Sequence, residues 1–130
     1  KCSNNAPITD PCNNAGAWSG VLCEKPSGST TSRVVSIDLN YGYVGDNTIG
    51  DNSGRIPTAF GDLTNLKLLD LFSCFLEGPI PTELFTLANL KYLDLSGNYL
   101  SGEIPSVGLL HDLKYLYLND NDFTCSISSR

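Results

Sequence analysis

Residues 65–88 read NLKLLDLFSCFLEGPIPTELFTLA, residues 89–111 read NLKYLDLSGNYLSGEIPSVGLLH, and residues 112–120 read DLKYLYLND. The three segments align with one another at offsets of 24 and 23 residues. A glycine and an Ile-Pro pair recur in phase with the leucines, and both extend the pattern upstream to residues 54–57. Three kinds of residue that repeat in register indicate a solenoid, in which each unit stacks on the next.

Each unit is predicted to contain a short strand. Leu69 and Leu71 are separated by one polar residue, and this alternation gives a strand with one buried face. The next inward position holds Cys74, Asn98 or Asn121, and an inward amide can satisfy backbone groups where the chain turns. Because no unit can bury its apolar face alone, stacking produces one continuous core. The predicted fold class is therefore an α/β repeat, a right-handed solenoid of about four units with a parallel concave β-sheet and a 3₁₀ or irregular convex side.

The rest of the chain is divided around these units. Residues 1–32 do not follow the repeat and hold three cysteines and Trp18, so we predict an N-terminal cap that covers the first unit. The predicted units are residues 33–64, 65–88, 89–111 and 112–130, of which the last is incomplete.

An insertion lengthens the first unit between residues 44 and 54. It reads VGDNTIGDNSG, and its glycine, aspartate and asparagine content predicts an exposed loop. Either the insertion is merely tolerated, or it contacts a ligand through Asp46, Asn47 and Asp51, since loops on rigid scaffolds often carry function. Its acidic residues match no known calcium-loop spacing, so the sequence predicts no metal site there.

Composition restricts the possible function classes. The formal net charge of −6 argues against a nucleic-acid partner. No stretch is long and apolar enough to span a membrane. The chain begins at Lys1, as a mature secreted product or a trimmed chain would. Five cysteines in a short chain favour an oxidising, extracellular compartment.

One disulfide is predicted, between Cys12 and Cys23. It would close a short loop and stabilise the fold by about 3 kcal/mol. Cys74 replaces Asn at an inward position, which favours a buried thiol over a bridge. The sequence assigns no partner to Cys2 or Cys125, and Cys125 could pair with a cysteine of another chain.

A family resemblance rests on two segments. Residues 93–105 read LDLSGNYLSGEIP and resemble the plant-specific class of leucine-rich repeats almost residue for residue. Residues 18–23 read WSGVLC and resemble the W-x-G-V-x-C end of that class's N-terminal cap. The chain departs from the class in two ways: the usual long cap helices are missing or shortened to residues 1–11, and no paired C-terminal cap is visible. The class includes receptor ectodomains, co-receptors, polygalacturonase inhibitors and wall proteins, so the resemblance implies extracellular recognition without naming a ligand.

The predicted concave face displays the side chains that lie between the buried leucines. Aligning the units gives three columns across the strands: Ser36, Leu68, Tyr92 and Tyr115; Asp38, Asp70, Asp94 and Tyr117; and Asn40, Phe72, Ser96 and Asn119. From these columns we predict a binding site made of Asp38, Asp70, Phe72, Tyr92, Asp94, Tyr115, Tyr117 and Asn119.

The side chains of this face can be interpreted in two ways, as a binding site or as a soluble surface. The aromatic side chains offer rigid contact area, and the carboxylates favour a basic peptide or protein. Alternatively, the carboxylates only keep the surface soluble, since Asp is usual at this position in the class that the sequence resembles, and the aromatic rings only support one another across strands.

Catalysis has little support in the sequence. His111 is the sole histidine, and it lies in the helix-like segment 107–111, predicted to be solvated on the convex side. No zinc-ligand spacing, nucleophile elbow or phosphate-binding glycine loop is present, so we predict no catalytic residue, metal or cofactor. Neighbouring carboxylates in the Asp column would lie about 5 Å apart, as in a retaining glycosidase, but the sequence indicates neither a cleft nor a raised pKa.

Two functions from different classes therefore remain. The first is an extracellular, non-catalytic recognition module, either a receptor-like ectodomain or a secreted inhibitor, that binds a protein or peptide on its concave face. The second is a structural or self-associating protein of the wall or matrix, for which an open C-terminal end of the solenoid would favour homo-association.

Overall fold

The computed structural model describes residue 12 and residues 19–40 and 54–124. Within these ranges the strands are β1 (Val21–Glu24), β2 (Arg33–Asp38), β3 (Leu68–Asp70), β4 (Glu77–Gly78), β5 (Tyr92–Asp94), β6 (Tyr99–Gly102), β7 (Tyr115–Tyr117) and β8 (Asp122–Phe123). Two 3₁₀ helices span Thr58–Asp62 and Thr82–Thr86. No helix in the described ranges has both the length and the apolar character needed to cross a membrane.

Five of the described strands form one sheet, in the order β1-β2-β3-β5-β7. From β2 onwards neighbouring strands are parallel, and Ile37, Leu69, Leu93 and Leu116 occupy one register position. This register is the one predicted from the sequence. The solenoid with a parallel sheet is thereby confirmed, and the two 3₁₀ helices agree with the predicted convex side.

The core is a stack of leucines from successive units. Leu69 and Leu93 are completely buried, and so are Leu66 and Leu90, which lie three residues earlier in each unit. Burial of one such side chain stabilises a fold by roughly 1.5–3 kcal/mol relative to exposure. The repeated leucines therefore hold the strands in register as well as together.

A second sheet was not predicted. It consists of β4, β6 and β8, paired in parallel in that order. Gly78 and Gly102 end β4 and β6 with φ values of 77° and 81°, a conformation that favours glycine. The glycine column of the sequence therefore marks the end of these strands. With two to four residues each, they are too short to leave an alternating pattern in the sequence.

Asn98 joins two units through hydrogen bonds, as its inward position predicts. Its Nδ2 donates to the carbonyl oxygens of Leu71 and Leu95, both at 2.9 Å. Its Oδ1 accepts from the backbone N–H groups of Cys74 and Leu76, both at 3.0 Å. Asn98 is buried, so these bonds replace water that the backbone would otherwise need.

Asn121 repeats this arrangement in the next unit. Its Nδ2 donates to the carbonyl oxygens of Leu95 and Leu118, at 2.9 and 3.2 Å, and its Oδ1 accepts from the N–H of Leu100 at 3.0 Å. Cys74 occupies this position in the unit before that of Asn98, and its thiol donates to the carbonyl oxygen of Leu39 at 2.9 Å. The expectation that Cys74 is buried was wrong, since this residue is partly exposed and packs against the core from its edge.

The last unit is less buried than predicted. Leu116 was expected to point inward like Leu93, but 37 % of it is exposed. In unit 89–111, Ile104 is likewise 42 % exposed, although Ile80, its counterpart in unit 65–88, is buried. For Leu116 the reason is that no described strand pairs with the outer edge of β7, so no described layer covers its side chain.

The segment at residues 107–111 is a turn and not helix-like. The N–H of Leu110 donates to the carbonyl oxygen of Val107 at 3.0 Å, and Leu110 is buried while His111 is exposed. This unit is one residue shorter than the preceding one and carries Gly108, which disfavours helical backbone. Both differences explain why the 3₁₀ helix of the preceding unit is not repeated.

The first unit begins differently from the others. β1 pairs antiparallel with β2. β2 extends over six residues, and both Val35 and Ile37 lie on its buried face. Val34, which aligns with buried Leu66 of the next unit, is only half-buried.

The N-terminal disulfide is confirmed. Cys12 is bonded to Cys23 of β1, with 5.4 Å between their Cα atoms. Gly20 precedes β1 with a φ of 81°, and its carbonyl oxygen accepts a hydrogen bond from the N–H of Asp38 at 2.7 Å. A β-carbon on Gly20 would lie 2.0 Å from the carbonyl oxygen of Asp38, so only glycine allows this close approach. Trp18 lies outside the described residues.

Candidate binding site

Three of the predicted carboxylates form a row on the open face of the main sheet, by which we mean the face turned away from the leucine core. Asp38 pairs in register with Asp70, and Asp70 with Asp94. We call these three residues the acid row. Since neighbouring strands lie about 4.8 Å apart, the row holds three carboxylates within about 10 Å.

Three tyrosines form a cluster beside the acid row. The ring centroid of Tyr92 lies 6.1 Å from that of Tyr115 and 5.7 Å from that of Tyr117, with tilted planes. Such distances are typical of favourable aromatic pairs. We call these residues the tyrosine cluster. Cross-strand stacking is therefore present, yet Tyr115 and Tyr117 remain 55 % and 41 % exposed, which leaves ring surface available for a ligand.

Phe72 and Asn119 extend the open face beyond these two groups. The Phe72 ring lies over Gly97, where an added β-carbon would be 3.0 Å from the ring, and Phe72 is half-buried. Asn119 is exposed beyond the end of β7, and its carbonyl oxygen accepts from the N–H of Gly97 at 3.1 Å. The open face thus brings together the acids and aromatics predicted from the sequence, with Asn119 at its far end.

Asp70 and Asp94 of the acid row also stabilise the ends of their own strands. Oδ1 of Asp70 accepts from the N–H of Phe72 at 3.0 Å. Oδ1 of Asp94 accepts from the N–H of Ser96 at 2.8 Å and also from the Ser96 hydroxyl. Because one oxygen of each of these two carboxylates accepts hydrogen bonds from the following turn, Asp70 and Asp94 have a structural role independent of any ligand.

The electrostatic environment opposes negative charge at the centre of the row. Burial raises the pKa of the Asp70 carboxyl above its usual value, and the charges of Asp94 and Asp38 raise it further, against the lowering effect of the hydrogen bonds from Phe72 and Asn40. The sequence did not indicate this raised pKa, because it arises mainly from burial.

The same environment also raises the pKa of Tyr92. Burial, followed by the charges of Asp70 and Asp94, raises the pKa of the Tyr92 hydroxyl to about 12. A cation bound over this surface would favour the ionised forms of Asp70 and Tyr92 and would therefore lower both pKa values.

Three of the predicted ligand contacts belong to the insertion in the first unit. Asp46, Asn47 and Asp51 of the insertion lie outside the described residues. Within the described part of the chain, no group of three histidine, cysteine or acidic side chains is arranged to hold a metal ion.

A row of lysines was missed by the sequence analysis. Lys67, Lys91 and Lys114 precede β3, β5 and β7, and their backbones are hydrogen-bonded in series, from Lys91 N–H to Lys67 oxygen at 2.8 Å and from Lys114 N–H to Lys91 oxygen at 2.9 Å. We call them the lysine row. Its signal was present as the third residue of NLK, NLK and DLK in the aligned units.

Comparison with known proteins supports the same fold. The family model described as Leucine Rich Repeat matches residues 65–87 and 89–108. No curated protein matches the chain. Among solved structures, the leucine-rich-repeat ectodomain of the receptor kinase SOBIR1 from Arabidopsis thaliana has a TM-score of 0.66 and 26 % identity, over 90 % of this chain and 60 % of that one.

Two further structures are more similar in sequence. A chain of the BIR3–SERK2 complex from Arabidopsis thaliana is 32 % identical with a TM-score of 0.66, over 81 % of this chain and 51 % of that one. The plant peptide hormone receptor RGFR1, solved in complex with RGF2, is 37 % identical with a TM-score of 0.53, over 54 % of this chain and 11 % of that one.

The present chain matches at most 60 % of the length of each of these three proteins. The repeat pattern, the parallel sheet and these similarities agree with one another. The chain therefore contains leucine-rich repeats and is similar to the plant receptor-kinase ectodomains built from such repeats.

Proposed function

We propose that this domain is an extracellular, non-catalytic recognition module that binds a peptide, or an exposed segment of a protein, across the open face of its main sheet. The ligand would place aromatic or apolar groups on the tyrosine cluster and basic side chains on the acid row. One observation carries the proposal: partly exposed tyrosine rings and three carboxylates lie in register on one face. Tyrosine is favoured at binding surfaces because it combines rigid contact area with a hydrogen-bonding tip.

Further support comes from the chain's chemistry and its relatives. The Cys12–Cys23 disulfide is typical of an oxidising, extracellular compartment. RGFR1 is named as a peptide hormone receptor, which makes a peptide the ligand class to test first. The open face presents its carboxylates on a broad sheet surface, so we assign them to binding and not to catalysis.

The test is a selection of peptides from a random displayed library, followed by affinity measurements on variants. We expect the selected peptides to be enriched in Lys and Arg. Tyr115→Ser should weaken their binding about tenfold, a loss typical of a central aromatic contact. Tyr99→Ser is the matched control, because Tyr99 is 58 % exposed, close to the 55 % of Tyr115, but belongs to the second sheet.

Two results would contradict the proposal. One is a selected peptide set without basic residues. The other is a loss of binding in Tyr99→Ser that equals or exceeds the loss in Tyr115→Ser. Circular dichroism of both variants controls for folding, since each substitution removes an exposed side chain.

A second candidate function is self-association through the outer edge of β7. Leu116 is 37 % exposed there, and Ile104, Val107 and Leu109 of the preceding unit are also exposed. A second copy of the chain could cover this apolar surface. Sedimentation velocity at several concentrations tests this, with wild type expected to dimerise and Leu116→Lys to remain monomeric; a wild type that stays monomeric would exclude it.

A further inference from the structure

A cavity lies at the junction of the first two units, at the other end of β2 from the acid row. Arg33 begins β2, whereas Asp38 of the acid row ends it. The cavity has a volume of about 410 Å³, within the range of small-molecule sites. Its lining consists of Arg33, Val34, Asp62, Leu63, Thr64 and Asn65. None of these residues belongs to the site of the proposed function.

Backbone hydrogen bonds fix one wall of this cavity. The wall is the turn that follows the 3₁₀ helix Thr58–Asp62. The N–H of Leu63 donates to the carbonyl oxygen of Phe60 at 3.1 Å. The N–H of Thr64 donates to the carbonyl oxygen of Asp62 at 2.9 Å, and the next leucine, Leu66, is completely buried. The wall is therefore formed before any ligand arrives, which lowers the entropy lost on binding.

The guanidinium of Arg33 is available to an anion. Glu24 is the register partner of Arg33 across β1 and β2, but its Oε2 lies 2.7 Å from Nζ of Lys67. Nη1 of Arg33 donates instead to Oδ1 of Asn65 at 3.2 Å, which holds the guanidinium at the cavity. Arg33 forms no ion pair with any residue that the structure describes. Since a guanidinium has five N–H donors, others remain for a carboxylate.

Asp62 brings the opposite charge to the same cavity. It is the exposed last residue of the 3₁₀ helix and lines the cavity together with Arg33. Within the described ranges it forms no ion pair, either with Arg33 or with another residue. The cavity therefore presents one positive and one negative group that do not neutralise each other. A ligand that carries both charges is complementary to this arrangement.

The rest of the lining suits a small amphipathic molecule. Val34 and Leu63 are half-buried and pack against the core, so they offer an apolar surface inside the cavity. A free aliphatic amino acid has a carboxylate and an ammonium group on one carbon atom and an apolar side chain beside them. It thus matches both charges and the apolar surface.

We propose that this cavity binds a free α-amino acid with an aliphatic side chain. Its carboxylate accepts from Arg33, its ammonium group donates to Asp62, and its side chain contacts Val34 and Leu63. A peptide end carries only one of the two backbone charges, so the cavity distinguishes a free amino acid from a peptide terminus. This site is independent of the proposed function, which uses the open face.

The probes are leucine, N-acetylleucine, which lacks the positive charge, and leucinamide, which lacks the negative one. At about pH 6 the charged groups of the probes and of the cavity are ionised. Backbone amide shifts of residues 62–65 in the isotope-labelled domain measure each affinity at constant ionic strength. We expect leucine to bind about three- to fivefold more tightly than either analogue, as the loss of one exposed charge pair predicts.

Substitutions then assign each charge of the ligand to one residue. Arg33→Gln should weaken leucine and N-acetylleucine but not leucinamide. Asp62→Asn should weaken leucine and leucinamide but not N-acetylleucine. Arg55→Gln and Asp122→Asn are the matched controls, because they remove the same charges at exposed residues that do not line the cavity. Neither control should change the affinity for leucine.

Three results would overturn the inference. The first is the absence of a saturable shift at residues 62–65 when leucine is added to the unsubstituted domain. The second is an analogue that binds as tightly as leucine, since one of the two charges would then be unused. The third is a control substitution that weakens leucine as much as Arg33→Gln or Asp62→Asn. The first two need no variant, and the amide spectrum of each variant shows whether it is folded.

Discussion

The hydroxyl of Tyr92 donates a hydrogen bond to Oδ2 of Asp94, two residues further along β5, over 3.4 Å. This bond connects the tyrosine cluster to the acid row within a single strand. Because Oδ1 of Asp94 accepts from Ser96, both oxygens of this carboxylate are oriented by its own strand. The centre of the open face is therefore preorganised, which reduces the entropy that a ligand would lose on binding.

The first prediction concerns the ionisation of Tyr92. Its raised pKa predicts that one tyrosine titrates near pH 12 in the folded protein. Ultraviolet absorbance of tyrosinate should show this component, and Tyr92→Phe should abolish it, whereas Tyr99→Phe should leave it in place. Because the folded state favours the neutral hydroxyl, its contribution to stability is complete below the usual tyrosine pKa of about 10 and is lost as the pH rises through 12. Unchanged high-pH absorbance in Tyr92→Phe would contradict the assignment.

The second prediction concerns Asp70. Its pKa is raised in the fold, so its contribution to stability is present below the unfolded value of about 4 and is lost as the pH rises through the folded pKa. Asp70→Asn keeps an oxygen for the N–H of Phe72 and removes the charge. It should stabilise the fold at pH 7 by less than about 1 kcal/mol, since the site is partly solvated, with no difference at about pH 3.

Thermal unfolding over this pH range measures the Asp70 effect. Asp122→Asn, on exposed β8 away from the acid row, is the control. A loss of stability in Asp70→Asn at pH 7 would show that the ionised carboxylate is favourable in the fold, contrary to this account.

The third prediction concerns Asn98. Replacing it by Ala leaves the partly buried N–H groups of Cys74 and Leu76 and the carbonyl oxygens of Leu71 and Leu95 without their side-chain partner. We expect a loss of about 3 kcal/mol or more in the free energy of unfolding, measured by urea denaturation. Asn119→Ala, at an exposed position, should change it by about 0.5 kcal/mol or less. Equal effects of the two substitutions would refute the structural role of the inward amide.

The fourth prediction uses two leucines at the same register position. Leu93→Ala removes a completely buried side chain and should cost about 2–5 kcal/mol. Leu116→Ala removes a side chain that is 37 % exposed and should cost less than about 2 kcal/mol. Urea denaturation compares them, and a larger cost at Leu116 would mean that a layer covers the outer edge of β7 in solution.

The sequence predicted the features that depend on the repeat period. Leu69 and Leu93 fall in register, and Asp70 and Asp94 follow in the next position, because one residue later on a strand lies on the opposite face. The positions of the acids and tyrosines on the open face could therefore be derived from alignment alone. Their role in binding stays a prediction.

The features that were missed depend on information that the period does not carry. The exposure of Leu116 depends on whether another layer covers β7, and its own repeat looks regular. The second sheet consists of strands too short to alternate. The lysine row was overlooked because Lys67 and its counterparts lie just before the strands, where alternation no longer indicates a face. The raised pKa of Asp70 arises from burial, which no sequence pattern reports.

The most direct test of the central claim is a map of the ligand site by nuclear magnetic resonance. Backbone amide shifts would be recorded while a library-selected peptide is added to the isotope-labelled domain. We expect the largest changes from Lys91 to Asp94 and from Lys114 to Tyr117, along β5 and β7 of the main sheet. Changes confined to Glu77–Gly78, Tyr99–Gly102 and Asp122–Phe123, the strands of the second sheet, would contradict the claim.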